Sequence, residues 1–152
     1  MTRRPGAALA ALAAAVALGA WSCGGDDDPE GLRVEGAWAR ATPPGVTVGA
    51  VYLRVTSNVD DELLGADVDE SVAAAVELHS TEQAADGTTR MVEQKTLPVP
   101  AGDELVLEPI GHHLMLVDLA DPLTTGETFD LTLHFATAGD HVVEVEVRED
   151  AP

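Results

Sequence analysis

The sequence has 152 residues, with 8 Lys and Arg against 27 Asp and Glu, and a formal net charge of −19. Apolar residues make up 45% of the chain, which fits one packed domain and argues against wholesale disorder. A surface this acidic repels phosphate and argues against a nucleic-acid partner. The single Cys excludes an intramolecular disulfide and any CxxC metal or redox motif.

Residues 1–22 are predicted to be a signal peptide. Arg3 and Arg4 form a basic start, and residues 7–20 are an unbroken run of apolar and small side chains. This run of about 14 residues suits a signal peptide and is shorter than the roughly 20 that a membrane-spanning helix needs. Three aspartates follow soon afterwards, which disfavours the alternative of a buried helix.

Cys23 lies where a bacterial lipoprotein carries its lipidated cysteine. The preceding Ala20 and Trp21 depart from the usual lipobox, which favours Leu and then a small residue. We expect Cys23 to be lipidated and residues 23–31 to form an acidic tether. The predicted location is extracytoplasmic, on the outer face of the cell membrane, with contact to the membrane only through the lipid. Secretion or periplasmic release with an unmodified thiol is the alternative.

Residues 32–150 are predicted to form one all-β domain. Apolar and polar residues alternate within seven or eight short segments, which is typical of strands with one buried face. Gly and Pro turns separate these segments and favour an antiparallel sandwich or Greek-key barrel. The predicted strands cover residues 32–40, 46–56, 73–79, 89–94, 104–108, 113–119, 129–135 and 143–147.

The two methionines that remain after signal removal both lie near a histidine. His113 and Met115 are two residues apart on one predicted strand, so their side chains share a face. His79 ends the strand before a turn at residues 86–87, and Met91 begins the strand after it. We expect a hairpin to bring His79 and Met91 together, with a bulge because the loop length is odd.

Imidazole and thioether together form a soft donor set that suits Cu(I) better than Zn²⁺, Mg²⁺ or Ca²⁺. The remaining histidines have simpler interpretations. We expect His112 to point to the opposite face as a surface residue, and His134 and His141 to be structural or solvated. Of two alternatives for Trp38, packing near the site and filling the core, we expect the core.

The spacing of His79, Met91, His113 and Met115 resembles the H(M)x10Mx21HxM signature of the periplasmic copper chaperones called PCuAC, or DUF461, with Ser80 in place of the optional Met. The resemblance extends from residue 33 to residue 148. It implies a cupredoxin-like β-sandwich, one Cu(I) bound by these two His and two Met, and delivery of copper to the CuA site of cytochrome c oxidase or a related acceptor.

The chain is accordingly expected to be a monomeric copper carrier without enzymatic activity. A blue-copper electron carrier needs a Cys ligand, which the body of the chain lacks. Hydrolase signatures such as GxSxG and HExxH are also absent. The remaining alternatives are a β-sandwich lipoprotein for solute binding or adhesion, and a copper storage or sensing protein.

Overall fold

The computed structural model describes residues 31–151, so the predicted signal peptide and Cys23 lie outside the described residues. Ten strands account for all the regular structure in this range. They are β1 (Arg33–Arg40), β2 (Val48–Thr56), β3 (Asp61–Val68), β4 (Ala73–Gln83), β5 (Thr89–Glu93), β6 (Leu97–Val99), β7 (Glu104–Leu107), β8 (His112–Leu119), β9 (Thr128–Phe135) and β10 (Gly139–Arg148). Residues 31–151 include no helix that is long and apolar enough to cross a membrane.

The strands form one mixed sheet in the order β5-β4-β8-β7-β2-β1-β10-β9-β3-β6, with β8 also pairing with β2. The all-β prediction is confirmed. Most neighbours are antiparallel, as expected, but β1 runs parallel to β10, and β7 runs parallel to β8. The first parallel pair joins the first and last strands of the described domain.

One apolar core lies between the two halves of the sheet. Strands β3 and β4 are far apart in the strand order yet contact each other, so the sheet closes over this core. Its most deeply buried members are aliphatic and come from both halves: Val51, Leu53, Leu63, Leu114, Leu116, Leu131, Leu133 and Val145. Because side chains alternate along a strand, the residues between these Val and Leu side chains lie on the outer face.

Two strands, β3 and β6, are absent from the sequence prediction. The sequence of β3 is rich in acidic residues and contains Gly65, which hides its apolar alternation. Strand β6 has three residues, including Pro98, and lies at the edge of the sheet. An edge position tolerates Pro because its missing N–H is not needed by a neighbouring strand.

Asp61 connects the start of β3 to the turn between β9 and β10. Its carboxylate accepts hydrogen bonds from the backbone N–H groups of Glu62 (2.7 Å), Thr137 (2.8 Å) and Ala138 (3.0 Å). Burial raises the pKa of Asp61, but these backbone donors outweigh burial and lower it below its usual value. Asp61 is therefore a buried, charged acceptor that satisfies three backbone donors at once.

We expect Asp61→Asn to destabilise the protein by about 1–3 kcal/mol at pH 7, because a neutral amide accepts these hydrogen bonds less strongly. Urea unfolding measures the change, with Asp103→Asn, an exposed acid in the turn between β6 and β7, as the control. The pKa of Asp61 is lower in the folded protein than in the unfolded chain, where an aspartate has a pKa of about 3.9. The stability that the Asp61 carboxylate contributes is therefore fully present above a pH of about 3.9 and is lost as the pH falls through the folded pKa. An equal cost at pH 7 and pH 2.5 would contradict this assignment.

Candidate metal centre

The four predicted ligands lie on the outer face of β4, β5 and β8, which are neighbours at one end of the sheet. Leu78 and Leu114 point into the core and are 4% and 0% exposed. The alternation of side chains then places His79 and His113, which follow Leu78 and precede Leu114, on the other face. The burial of leucines on one side thus decides which side carries the histidines.

His79 and His113 are directly opposite each other in the antiparallel pairing of β4 with β8. Their ring centroids are 5.9 Å apart, at an interplanar angle of 40°. His113 is 4% exposed and the side chain of His79 is 11% exposed. Two buried imidazoles at this separation are close enough to share one bound ion.

The two methionines lie beside this histidine pair. Met91, His113 and Met115 line one shallow apolar depression of about 240 Å³. Met91 lies on the edge strand β5 and is 65% exposed, so the thioether at this side of the depression is open to solvent. A metal site here depends on the thioethers, since no three His, Cys, Asp or Glu side chains gather to hold an ion within residues 31–151.

The hairpin that carries His79 and Met91 differs from its prediction. Strand β4 continues to Gln83, so His79 lies inside the strand, and Met91 is likewise inside β5. The register is continuous from His79 opposite Glu93 to Gln83 opposite Thr89, so the expected bulge is wrong. Met91 lies opposite Thr81, which shares a face with His79, and Met91 is thus the diagonal neighbour of His79.

Each histidine of the pair has one ring nitrogen in a hydrogen bond. The Nδ1–H of His113 donates to the carbonyl oxygen of Gly111 at 3.2 Å. The Nε2 of His79 lies 2.9 Å from Oε2 of Glu77, while its Nδ1 is buried and has no hydrogen-bond partner. A buried ring nitrogen without a partner is costly unless it binds a proton donor or a metal, so the arrangement fits a soft metal ion.

Burial also favours the neutral form of His113 that a metal requires. It lowers the pKa of His113 below its usual value; the Gly111 carbonyl opposes this shift, and His79 and His112 add to it. Tyr52 lines the same depression, as does Arg40. Burial raises the pKa of Tyr52, partly offset by the Arg40 guanidinium, so the wall at this side is a neutral phenol.

One residue at the site, Glu77, is not part of the copper motif, but the alternation of side chains along a strand is enough to place it on the same face. Glu77 is two residues before His79, on the same strand and therefore the same face, and it lies opposite Met115. Arg40 and Tyr52 carry no such signal, because their positions depend on β2 pairing with β8 and on β1 pairing with β2.

The other predicted histidines have structural roles. His112 lies on the face opposite His113, as predicted, but it is half-buried and not the expected surface residue. Its Nδ1 is 2.6 Å from the hydroxyl oxygen of the buried Ser80. His134 bridges Asp67 and Asp140, at 2.7 Å from each. The ring of His141 packs edge-on against Phe135, at 5.7 Å between centroids.

Trp38 is buried, with 6% of its surface exposed. It is not a member of the aliphatic core cluster, so the alternative of packing near the site describes its position better than the favoured prediction that it fills the core. Its ring packs against Tyr52, at 4.7 Å between centroids. Through Tyr52, Trp38 supports the wall of the depression.

The described residues thus form a closed β-domain with imidazole and thioether side chains on its outer face. Comparison with known sequences assigns the family. A family model described as "Putative lipoprotein LpqE-like" matches residues 32–147. "Putative lipoprotein Lxx21020" of Leifsonia xyli subsp. xyli is 32% identical over 121 residues, 79% of this chain and 71% of that protein. The chain belongs to the LpqE-like family.

Solved structures confirm the PCuAC resemblance and the cupredoxin-like fold. The apo PCuAC domain from PmoF1 is 24% identical with a TM-score of 0.65, over 80% of this chain and 94% of that one. The copper-bound PCuAC domain from PmoF2 is 25% identical with a TM-score of 0.63, and the match covers 80% of this chain and 93% of that one. The Cu(I) form of DR1885 from Deinococcus radiodurans is 30% identical with a TM-score of 0.57, and the match covers 76% of each chain.

Proposed function

We propose that this protein is an extracytoplasmic copper chaperone that binds one Cu(I) through His79, Met91, His113 and Met115. The observation that carries the proposal is the gathering of two imidazoles and two thioethers on one face of β4, β5 and β8. Two similar structures are of copper-bound proteins, one of them explicitly Cu(I). Soft donors of these two kinds select Cu(I) among the common biological ions.

The proposed mechanism is transfer by ligand exchange, with no covalent catalysis. Met91 is largely exposed, so an incoming ligand from an acceptor can reach the ion from that side. Neither thioether carries a charge, so this site holds Cu(I) less strongly than one built from thiolates. The proposed acceptor is the CuA site of cytochrome c oxidase or a related copper protein.

The proposed location is extracytoplasmic, with the domain tethered to the outer face of the membrane through a lipid on Cys23. The family description and the relative from Leifsonia xyli both carry the word lipoprotein. A tether keeps a monomeric carrier near a membrane-bound acceptor and raises its effective concentration there.

Titration of the purified protein with Cu(I) under reducing conditions, against a competing chelator, tests the proposal. We expect saturation at one equivalent and no comparable binding of Zn²⁺ or Mg²⁺. X-ray absorption of the loaded protein is expected to show mixed nitrogen and sulfur coordination. The absence of Cu(I) binding would exclude the chaperone function and favour a solute-binding or adhesion lipoprotein.

Acid is expected to weaken copper binding, because protons compete with the metal for imidazole nitrogens. Burial lowers the pKa of His113 below its usual value, so protons compete for this imidazole only at a lower pH than they would for an exposed histidine. Copper affinity should therefore change little between pH 8 and pH 7 and fall progressively toward pH 5. Chelator competition at each pH measures this, and a flat profile down to pH 5 would argue against histidine ligation.

A further inference from the structure

Glu77 is the charged side chain in direct contact with a proposed ligand. Its Oε2 lies 2.9 Å from Nε2 of His79, two residues along β4 on the same face. The side chain of His79 is 11% exposed and that of Glu77 is 37% exposed, so the contact is partly shielded from water. A carboxylate accepts hydrogen bonds, so it holds the proton of a neutral imidazole on Nε2.

That hydrogen bond leaves Nδ1 of His79 as the nitrogen with a free lone pair. Nδ1 is the buried side-chain polar atom without a hydrogen-bond partner within residues 31–151. His113 has the opposite arrangement, since its Nδ1–H donates to the Gly111 carbonyl and its Nε2 lone pair is free. The two histidines thus leave different ring nitrogens free of hydrogen bonds, Nδ1 in His79 and Nε2 in His113.

We propose that Glu77 is a positioning residue that fixes His79 as the Nε2–H tautomer and so makes Nδ1 its copper-binding nitrogen. This inference rests on the proposed copper-binding function. Metal-binding histidines commonly donate their other ring N–H to a carboxylate or carbonyl, which orients the ring and makes the ligand nitrogen more basic. Glu77 and the Gly111 carbonyl perform these two tasks for His79 and His113.

Glu77 acts through His79 and not as a copper ligand itself. A carboxylate oxygen is a hard donor that suits Mg²⁺, Ca²⁺ or Mn²⁺, whereas the proposed site offers thioethers and imidazoles for a soft ion. Its Oε2 is directed to the imidazole Nε2. This distinction makes Glu77→Gln informative, because the amide oxygen of Gln keeps an acceptor for Nε2–H but removes the negative charge and the carboxylate.

The tautomer can be read in the metal-free protein by long-range ¹H–¹⁵N NMR of the histidine rings. We expect the Nε2–H pattern for His79 and the Nδ1–H pattern for His113 in the wild type. Glu77→Gln should keep the His79 pattern, and Glu77→Ala should change it to a mixture. An Nδ1–H pattern for His79 in the wild type, or no change in Glu77→Ala, would overturn the proposal.

Copper affinity provides the second measurement. We expect Glu77→Ala to lower Cu(I) affinity by about 10–100-fold, the usual effect of losing such a partner, and Glu77→Gln to lower it much less. The control is Glu93→Ala, which removes an equal charge opposite His79 on β5 and leaves the Glu77 contact in place. Equal losses in all three variants would overturn the positioning role, leaving a charge effect.

The two measurements separate this inference from the proposed function. A wild-type protein that fails to bind Cu(I) at all would contradict the copper-chaperone proposal, whatever the tautomer of His79. A wild type that binds Cu(I) normally, with Glu77→Ala binding equally well, would contradict the role of Glu77 alone. Thermal unfolding of each metal-free variant identifies any loss of affinity that comes from a damaged fold.

Discussion

Replacing both methionines of the proposed site with leucine should abolish tight Cu(I) binding. Leu conserves most of the volume of Met, so the apolar depression is retained while both sulfur donors are lost. Because even a change in a residue that only supports a ligand costs about 10–100-fold, we expect the Met91→Leu, Met115→Leu protein to lose more than about 100-fold in affinity. Chelator competition against the wild type measures the loss.

The two single variants should differ in stability but not in the direction of their effect on copper. Met91 is largely exposed on an edge strand, so Met91→Leu should leave the melting temperature unchanged. Met115 is partly buried on β8, and Met115→Leu should shift it only slightly. Unchanged copper retention in the double variant, with the fold intact, would exclude the thioethers as ligands.

Copper should move in one direction, from this protein to a reduced acceptor with cysteine ligands. Thiolates are charged soft donors and hold Cu(I) more strongly than neutral thioethers and imidazoles. An acceptor that binds about 100-fold more tightly takes about nine-tenths of the copper at equal concentrations. Mixing the loaded protein with a reduced, metal-free CuA domain, separating the two and measuring copper in each tests this expectation.

The matched control is the same acceptor domain with its cysteines replaced by serine, which should leave copper on this protein. The reverse experiment, from loaded acceptor to metal-free protein, should give little transfer. Retention of copper on this protein with the intact acceptor in excess would contradict delivery and favour storage or sensing.

Much of the fold is predictable from local patterns. In β10 Val143, Val145 and Val147 alternate with charged residues, and the structure contains this strand. Strand β3 is not predictable in this way, because its acidic residues and Gly65 resemble a loop. Its strand conformation is stabilised from outside, by pairing with β9 and with β6 on its two sides.

The hairpin shows how a local prediction fails for a physical reason. The predicted bulge depends on His79 being the last residue of its strand and Met91 the first residue of the next. In the structure β4 runs on to Gln83 and β5 starts at Thr89, so the turn is short and the pairing is regular. Gly87, with a φ of 84°, supplies the left-handed conformation that this tight turn requires.

The sequence by itself determined that two histidines and two methionines recur at a defined spacing, and that His113 and Met115 share a face, because side chains alternate along any strand. The tertiary structure alone decided that β8 lies beside β4, so that His79 faces His113. It also brought Tyr52 and Arg40 to the depression. The reason is that alternation is a local property, whereas the neighbour of a strand is chosen by burial of the common core, which depends on residues distant in the chain.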